Sequence, residues 1–355
     1  MATQPTDIRL TLKPESRLEL IDVSERVEAE SGDFFDVYRK SAYASHHTTA
    51  GFFEQSFARR LKHDPEALEK YVGSFKKLFP PNADYRHDQM ELRDELSDAQ
   101  KLVEPRNADS HLTYIGAGLE NCVTYLNERR APVFFIDLDG TNGDTRRTRK
   151  TTVVGFNSET VVQEQVLRIP MGSHPIGSVN LWDPKVGVLQ HIEEHIATLG
   201  IEKGRVSLSL SPDEKNTGLT VNEYETLLMR HDLPDVLKNP LRFMAMRGVN
   251  MLRDPGAIKE KAKDYMKYDL VHVVNEFIEA TGLSDTKVER IIDKFFQVPA
   301  NRFLRMKRKV DLIVSDEGTG NGRIINGTYQ SPILVQWNRN QDRTRTVNVV
   351  FSRFE

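Results

Sequence analysis

One order of events is written twice along this chain of 355 residues, and that repetition constrains the fold more than any single motif, because repeated units complete each other's apolar faces. In the first half an apolar segment at 18–21 precedes a short helical stretch at 24–30, and residues 34–44 then read as strand. In the second half a helical pattern at 186–199 ends in a turn at 200–204. Val206, Leu208 and Leu210 then alternate with polar residues at the period of a half-buried strand. Each strand runs into a turn of small and polar residues, 45–51 in one half and 211–218 in the other, and a helical segment follows, 52–61 and 221–230. Both halves also end alike. An apolar run at 132–140 leads through Arg146, Arg147 and Arg149 to 151–156, and a run at 332–337 leads through Arg343 and Arg345 to 347–351. Each ending reads as a β-hairpin with a charged tip.

This order predicts a tandem duplication, with residues 1–156 as one repeat and 179–355 as the other. Residues 157–178 read as a linker broken by Pro170, Gly172 and Pro175. The second repeat carries a helical insertion at about 240–310, with candidate helices at 258–268, 269–281 and 285–296; Ser284 and Asp285 supply a cap for the last. The fold class expected is α+β, each repeat a mainly antiparallel sheet system with flanking helices.

Composition narrows the function classes. Apolar residues at 38% and 21 glycines describe a globular chain. No run approaches the roughly 18 apolar residues of a membrane span, and residues 1–7 show no basic start before an apolar stretch. The expectation is a cytoplasmic protein with no membrane partner. A single cysteine, Cys122, excludes an internal disulfide and a cysteine-rich zinc site. With 49 basic against 52 acidic residues, overall charge offers no pull toward nucleic acid. The basic stretch 302–309 carries only Phe303 as a stacking platform, which speaks against nucleic acid again. No Walker loop, dinucleotide-binding glycine motif or serine-hydrolase elbow is present. His191 and His195 share a helical face, but Ile192 follows the first, so the zinc-protease pattern is missing.

Three histidines of the first half, His47, His87 and His111, lie near breakers or element ends, where functional groups are displayed. Three neutral imidazoles can form an open catalytic metal site, zinc being the preferred ion, with Asp88 or Asp109 orienting a ring. One of them can instead transfer protons. The spacings of 40 and 24 residues match no local zinc signature, so separate surface or capping histidines are the plainer alternative. Arg146, Arg147 and Arg149 suit phosphate, or simply a solvated tip.

The runs His47-Thr48-Thr49-Ala50, Tyr85-Arg86-His87-Asp88 and 107–112 (Asn-Ala-Asp-Ser-His-Leu) occur in the order and spacing of the YjbQ-like family, often labelled secondary thiamine-phosphate synthase. The resemblance covers roughly residues 10–156. Gly327-Thr328-Tyr329-Gln330 resembles the family's C-terminal Gly-Thr-Trp-Gln signature, so the second half resembles a diverged copy. Neither copy is complete. The first has Gln55 and Ser56 where family members carry Asn-Glu, and residues 128–131 in place of the signature. The second keeps Asn222 and Glu223 but has Glu214 at the histidine's place.

The resemblance implies a small-molecule enzyme joining a nucleophile to a phosphorylated or pyrophosphate-activated carbon, in a biosynthetic pathway whose substrate the duplication specialises. His47, His87 and His111 are then metal ligands or acid–base groups, with Asp88 and Glu223 catalytic beside them. Arg86, Thr48, Asn222, Tyr329 and Gln330 would meet an anionic substrate. Trimers are implied by the same likeness. A metal-dependent hydrolase, and a non-catalytic metal- or ligand-binding protein, are the alternatives. A site lined by both halves competes with plain decay of the second.

Overall fold

The computed structural model describes residues 3–94, 96–127, 131–174, 176–238, 306–338 and 343–355. The three helices expected between 258 and 296, the cap at 284–285 of the last, and the first half of the 302–309 stretch lie outside them. In chain order the first half holds β1 (Thr6–Leu12), β2 (Glu19–Asp22), α1 (Val23–Glu30), α2 (Phe34–Val37), β3 (Lys40–Ser45), β4 (Ala50–Gly51) and α3 (Gln55–Arg60). Then come α4 (Pro65–Leu78), α5 (Asp98–Val103), α6 (Ala108–Ala117), β5 (Cys122–Leu126), β6 (Phe134–Asp137), β7 (Thr141–Asn142), β8 (Thr145–Arg146) and β9 (Arg149–Phe156). The second half holds β10 (Glu159–Pro170), β11 (Gly177–Asn180), α7 (Val188–Leu199), β12 (Gly204–Leu210), β13 (Thr217–Asn222) and α8 (Leu233–Lys238). It ends with β14 (Lys309–Ser315), β15 (Arg323–Ile324), β16 (Ser331–Gln336) and β17 (Thr344–Phe354). No helix of the described residues is long and apolar enough to cross a membrane.

Two compact units result. Residues 1–63, 118–224 and 306–355 form a strand unit, and 64–117 with, among the described residues, 225–238 form a helical one. The class is α+β, with antiparallel sheets throughout.

In the strand unit one sheet runs β1-β9-β3-β5 and another runs β10-β17-β12-β14, extended by β15. Two smaller sheets run β2-β6-β4 and β11-β16-β13. Each half therefore sends its strands, in the same sequence order, to the same places in one large and one small sheet. The registers agree as well. Ser45 faces Thr151 as Leu210 faces Val347, and isolated bridges join Phe52 to Glu120 and Leu219 to Lys307. Each half has its own apolar core, and a third cluster joins Ala42, Ala44, Cys122, Val154 and Phe156 to Ile313, Ile325 and Phe354. Phe156 and Phe354 stack there, centroids 3.9 Å apart. The Lys307 Nζ reaches the Glu120 Oε1 at 2.6 Å, an ion pair between the two bridging positions just named.

In the helical unit Asp64 caps α4 ahead of Pro65, accepting the Glu66 and Ala67 N–H groups. All ten residues of α6 are buried, including Asp109, Ser110, His111 and Thr113. A buried helix this polar has to find its partners inside the protein.

Four readings of the sequence need correction. The two terminal hairpins do not exist: β6 and β9 lie in different sheets, as do β16 and β17. At the first charged tip β7 with β8 makes only a two-residue ladder. Residues 157–178 are not a linker, because they contain the twelve-residue β10, and the breakers at 170, 172 and 175 fall at its end or beyond. Residues 221–230 begin as the end of β13, whose six residues are all buried and so show no period-two pattern. Residues 34–44 open with α2 before β3 starts.

Candidate functional site

The turn that follows β3 carries His47 and Thr48, and residues from the other half hold it. Asn222, at the end of β13, donates its Nδ2 to the Thr48 carbonyl at 3.1 Å. Gln330 donates its Nε2 to the carbonyls of Ser45 at 3.0 Å and His47 at 2.8 Å, while its Oε1 accepts the Gly327 N–H at 2.8 Å. A Cβ at Gly327 would lie 1.8 Å from the His46 carbonyl oxygen, so only glycine fits that approach. Residues 45–48 are thus clamped by Asn222, Gly327 and Gln330. Glu223 follows on the same segment, its N–H bonded to the Asn222 Oδ1 at 2.8 Å, and Tyr329 stands 69% exposed. The first half's counterpart does otherwise. Gln55 exchanges both amide groups with the Leu126 backbone, at 2.8 and 3.0 Å.

His47 itself points to the start of β9. Its Nε2 accepts the Lys150 N–H at 2.7 Å, which places the ring proton on Nδ1, and the Arg149 Nη1 lies 3.4 Å from that nitrogen. Burial, then the charge of Arg149, pushes the imidazole pKa down to about 3. The ring is neutral near pH 7 with its one lone pair committed to a backbone donor.

Arg149 is the centre of this arrangement, and reading it as a tip residue missed it. It is 3% exposed and grips Asp137 through Nε at 2.6 Å and Nη2 at 2.8 Å, with a further bond of 2.6 Å to the Asp139 carbonyl. The second half builds the same hub on Arg345, whose Nε meets Gln336 at 3.3 Å and whose Nη1 meets Glu214 at 2.9 Å. There Glu214 accepts the Thr346 N–H at 2.6 Å, as His47 accepts that of Lys150. Arg146 and Arg147 do lie at the tip, paired with Glu15 and Asp139.

The helical unit holds the other two histidines. His87 and His111 are each 1% exposed, with ring centroids 5.3 Å apart. His87 donates Nδ1–H to the Asp88 Oδ1 at 3.0 Å, and that oxygen also accepts the Ala108 N–H at the start of α6 at 3.1 Å. Asp88 therefore fixes the tautomer and leaves the lone pair of neutral His87 on Nε2, which is buried with no hydrogen-bond partner among the described residues. Burial lowers the His87 pKa most, yet the hydrogen bond and charge of Asp88 outweigh it, and the net shift is upward.

The loop is held from the second half. Asp232 accepts the backbone N–H groups of Arg86 and His87 at 3.2 and 3.0 Å. The Arg86 side chain is exposed and meets His231 at 2.9 Å. Buried Arg93 approaches Glu225 at 4.0 Å and Glu104 at 3.7 Å. No motif flagged Asp232, Arg93 or Glu225; their acidic and basic types were visible, but their meeting depends on how separate segments pack.

A catalytic zinc ion requires three protein ligands. Among the described residues no three His, Cys, Asp or Glu side chains gather in a group able to hold a metal, and the His47 lone pair is already committed.

No family model and no curated protein matches the chain. Among solved structures it is similar to a YbjQ-like protein of unknown function from Sulfolobus solfataricus P2, at 13% identity over 55% of this chain and 99% of that one, with a TM-score of 0.30. It is also similar to a hypothetical protein from Aeropyrum pernix K1 (14% identity, 54% and 98% covered, TM-score 0.28). A third is an uncharacterised conserved protein of the YjbQ family from Clostridium acetobutylicum (14%, 55% and 100% covered, TM-score 0.26). At these values the likenesses carry no functional weight.

Proposed function

We propose that the protein is a small-molecule enzyme whose acid–base centre is the His87–Asp88 pair, with His111 beside it, acting on a phosphorylated or pyrophosphate-activated substrate in a transferase-type reaction. The observation that carries this reading is the His87 ring, oriented by Asp88 through Nδ1 and presenting an unpartnered, buried Nε2. Such a nitrogen either takes a proton from an incoming nucleophile or, once charged, returns it to a departing oxygen. The hydrogen bond and charge of Asp88 hold the imidazole pKa above its ordinary value, against the effect of burial. Support for the substrate class comes from the motif resemblance alone.

The repeated sheet order and the two arginine hubs support a tandem duplication that let the halves specialise. A cytoplasmic setting fits the single, buried, free thiol of Cys122. A trimer rests on the family likeness of the motifs.

The test is release of phosphate or pyrophosphate from a panel of phosphorylated metabolites, by protein purified without a histidine tag. Variants His87→Gln, Asp88→Asn and His111→Gln should each lower turnover by about 10²–10⁴-fold, the usual contribution of a positioned proton donor. Turnover unchanged in all three removes the reading. A specific observation favours a second one, a non-catalytic ligand-binding protein: the motif histidine His47 is occupied as a backbone acceptor. Stoichiometric metal or ligand with no turnover on the panel would favour that alternative.

A further inference from the structure

The outer edge of the five-stranded sheet is a long strand with a conspicuously open flank. Strand β10 pairs with β17 alone among the described strands. A bulge between Val161 and Gln163 disturbs its start, and Pro170 closes its end. Between them, Gln163 to Ile169 keep an unbroken register against Phe351 to Arg345. That stretch spans about 23 Å at the usual rise of a strand. It carries none of the lysines, prolines or bulges that normally blunt a free edge.

Its solvent face is Glu164, Val166 and Arg168, all exposed, with Val166 at 66%. Neither Glu164 nor Arg168 forms an ion pair among the described residues. We propose that this edge pairs with the same edge of a second copy of the chain, antiparallel about a twofold axis through Val166. In that register Val166 faces Val166 and Glu164 faces Arg168, twice over by symmetry. The order of the three side chains is its own complement, which an arbitrary edge is not, and opposite charges directly across an antiparallel pair are stabilising where like charges are not. An isologous contact of this kind closes on itself as a dimer rather than growing into a fibre.

The proposal is independent of the proposed catalytic site. Light scattering on the eluting full-length protein, across about a hundredfold dilution, should show a species that halves reversibly, a dimer to a monomer or, with the trimer proposed above, a hexamer to a trimer. Val166→Lys, Glu164→Arg and Arg168→Glu each place like charges in opposition and should weaken the dimer about tenfold or more, while the double variant Glu164→Arg with Arg168→Glu restores it. All three positions are exposed, so melting temperatures of the dilute variants should match the parent. A protein monomeric at every concentration, an oligomer indifferent to all three changes, or a double variant no better than the singles would overturn the proposal.

Discussion

Replacing Gln330 tests whether the two halves truly hold one turn between them. Its amide nitrogen satisfies the carbonyls of Ser45 and His47, and its oxygen takes the Gly327 N–H. At about 1 kcal/mol of net stability per hydrogen bond, Gln330→Ala should cost about 3 kcal/mol, since the groups left behind are largely shielded from water. Gln330→Glu is the sharper probe because its shape is conserved. It turns the donor aimed at two carbonyl oxygens into an acceptor, so its penalty near pH 7 should equal or exceed that of the alanine variant. The introduced carboxyl would have a raised folded pKa. It is therefore tolerated when protonated, and stability falls as pH rises through its titration. Urea unfolding followed by circular dichroism measures both variants at several pH values. A loss below about 0.5 kcal/mol for either substitution, the range of an ordinary surface change, would show that the clamp holds nothing.

Burial pushes the Glu120 carboxyl from an ordinary 4.5 up to about 7, against the pull of Lys307. A raised carboxyl favours the folded state at low pH, so relative to Glu120→Gln the parent should lose up to about 3 kcal/mol as pH rises between those values, and a pH-independent difference would refute this. Asp88→Asn removes the largest upward influence on His87, so the imidazole should titrate lower by NMR; an unchanged midpoint would separate the two groups. Arg149→Lys keeps one charge but loses the fork that grips Asp137 and Asp139, and should lower stability by about 2 kcal/mol in the same unfolding assay. His47→Glu should be tolerated within about 1 kcal/mol, because Glu214 does the equivalent work in the other hub, whereas His47→Ala orphans the Lys150 N–H and should cost more.

The shared order of elements in the two halves was legible because it is an order of residue types, and chain order is what a sequence records. The sheet partners were not, because β6 and β9 are neighbours along the chain with a charged tip between them, the usual signature of a hairpin. What sends them to separate sheets is long-range pairing, β6 with β2 and β4, β9 with β1 and β3. Strand β10 was hidden for a related reason: an edge strand with one partner needs little apolar alternation, and its polar residues resemble a loop. At the sites, the likeness of short motifs named Asn222 and Gln330 as substrate-binding residues, and their amides instead hold the backbone of the turn at 45–48. Arg149 was passed over because a charged residue beside a turn suggests solvent, and only the approach of Asp137 makes its burial tolerable.

The two hubs also show why matching motif letters misjudges His47. Opening a strand beside a buried arginine exposes the next backbone N–H, which needs an acceptor from the turn across the way. The first half answers with a neutral imidazole at Lys150, the second with the Glu214 carboxylate at Thr346. Either group satisfies that demand, so a histidine there is explained by hydrogen bonding before any chemistry is invoked. No such demand accounts for His87. Its backbone is held by Asp232 and its Nδ1 by Asp88, which leaves an oriented, buried Nε2 with no hydrogen-bond partner among the described residues. Of the histidines the motifs group together, that is where a reaction should be sought first.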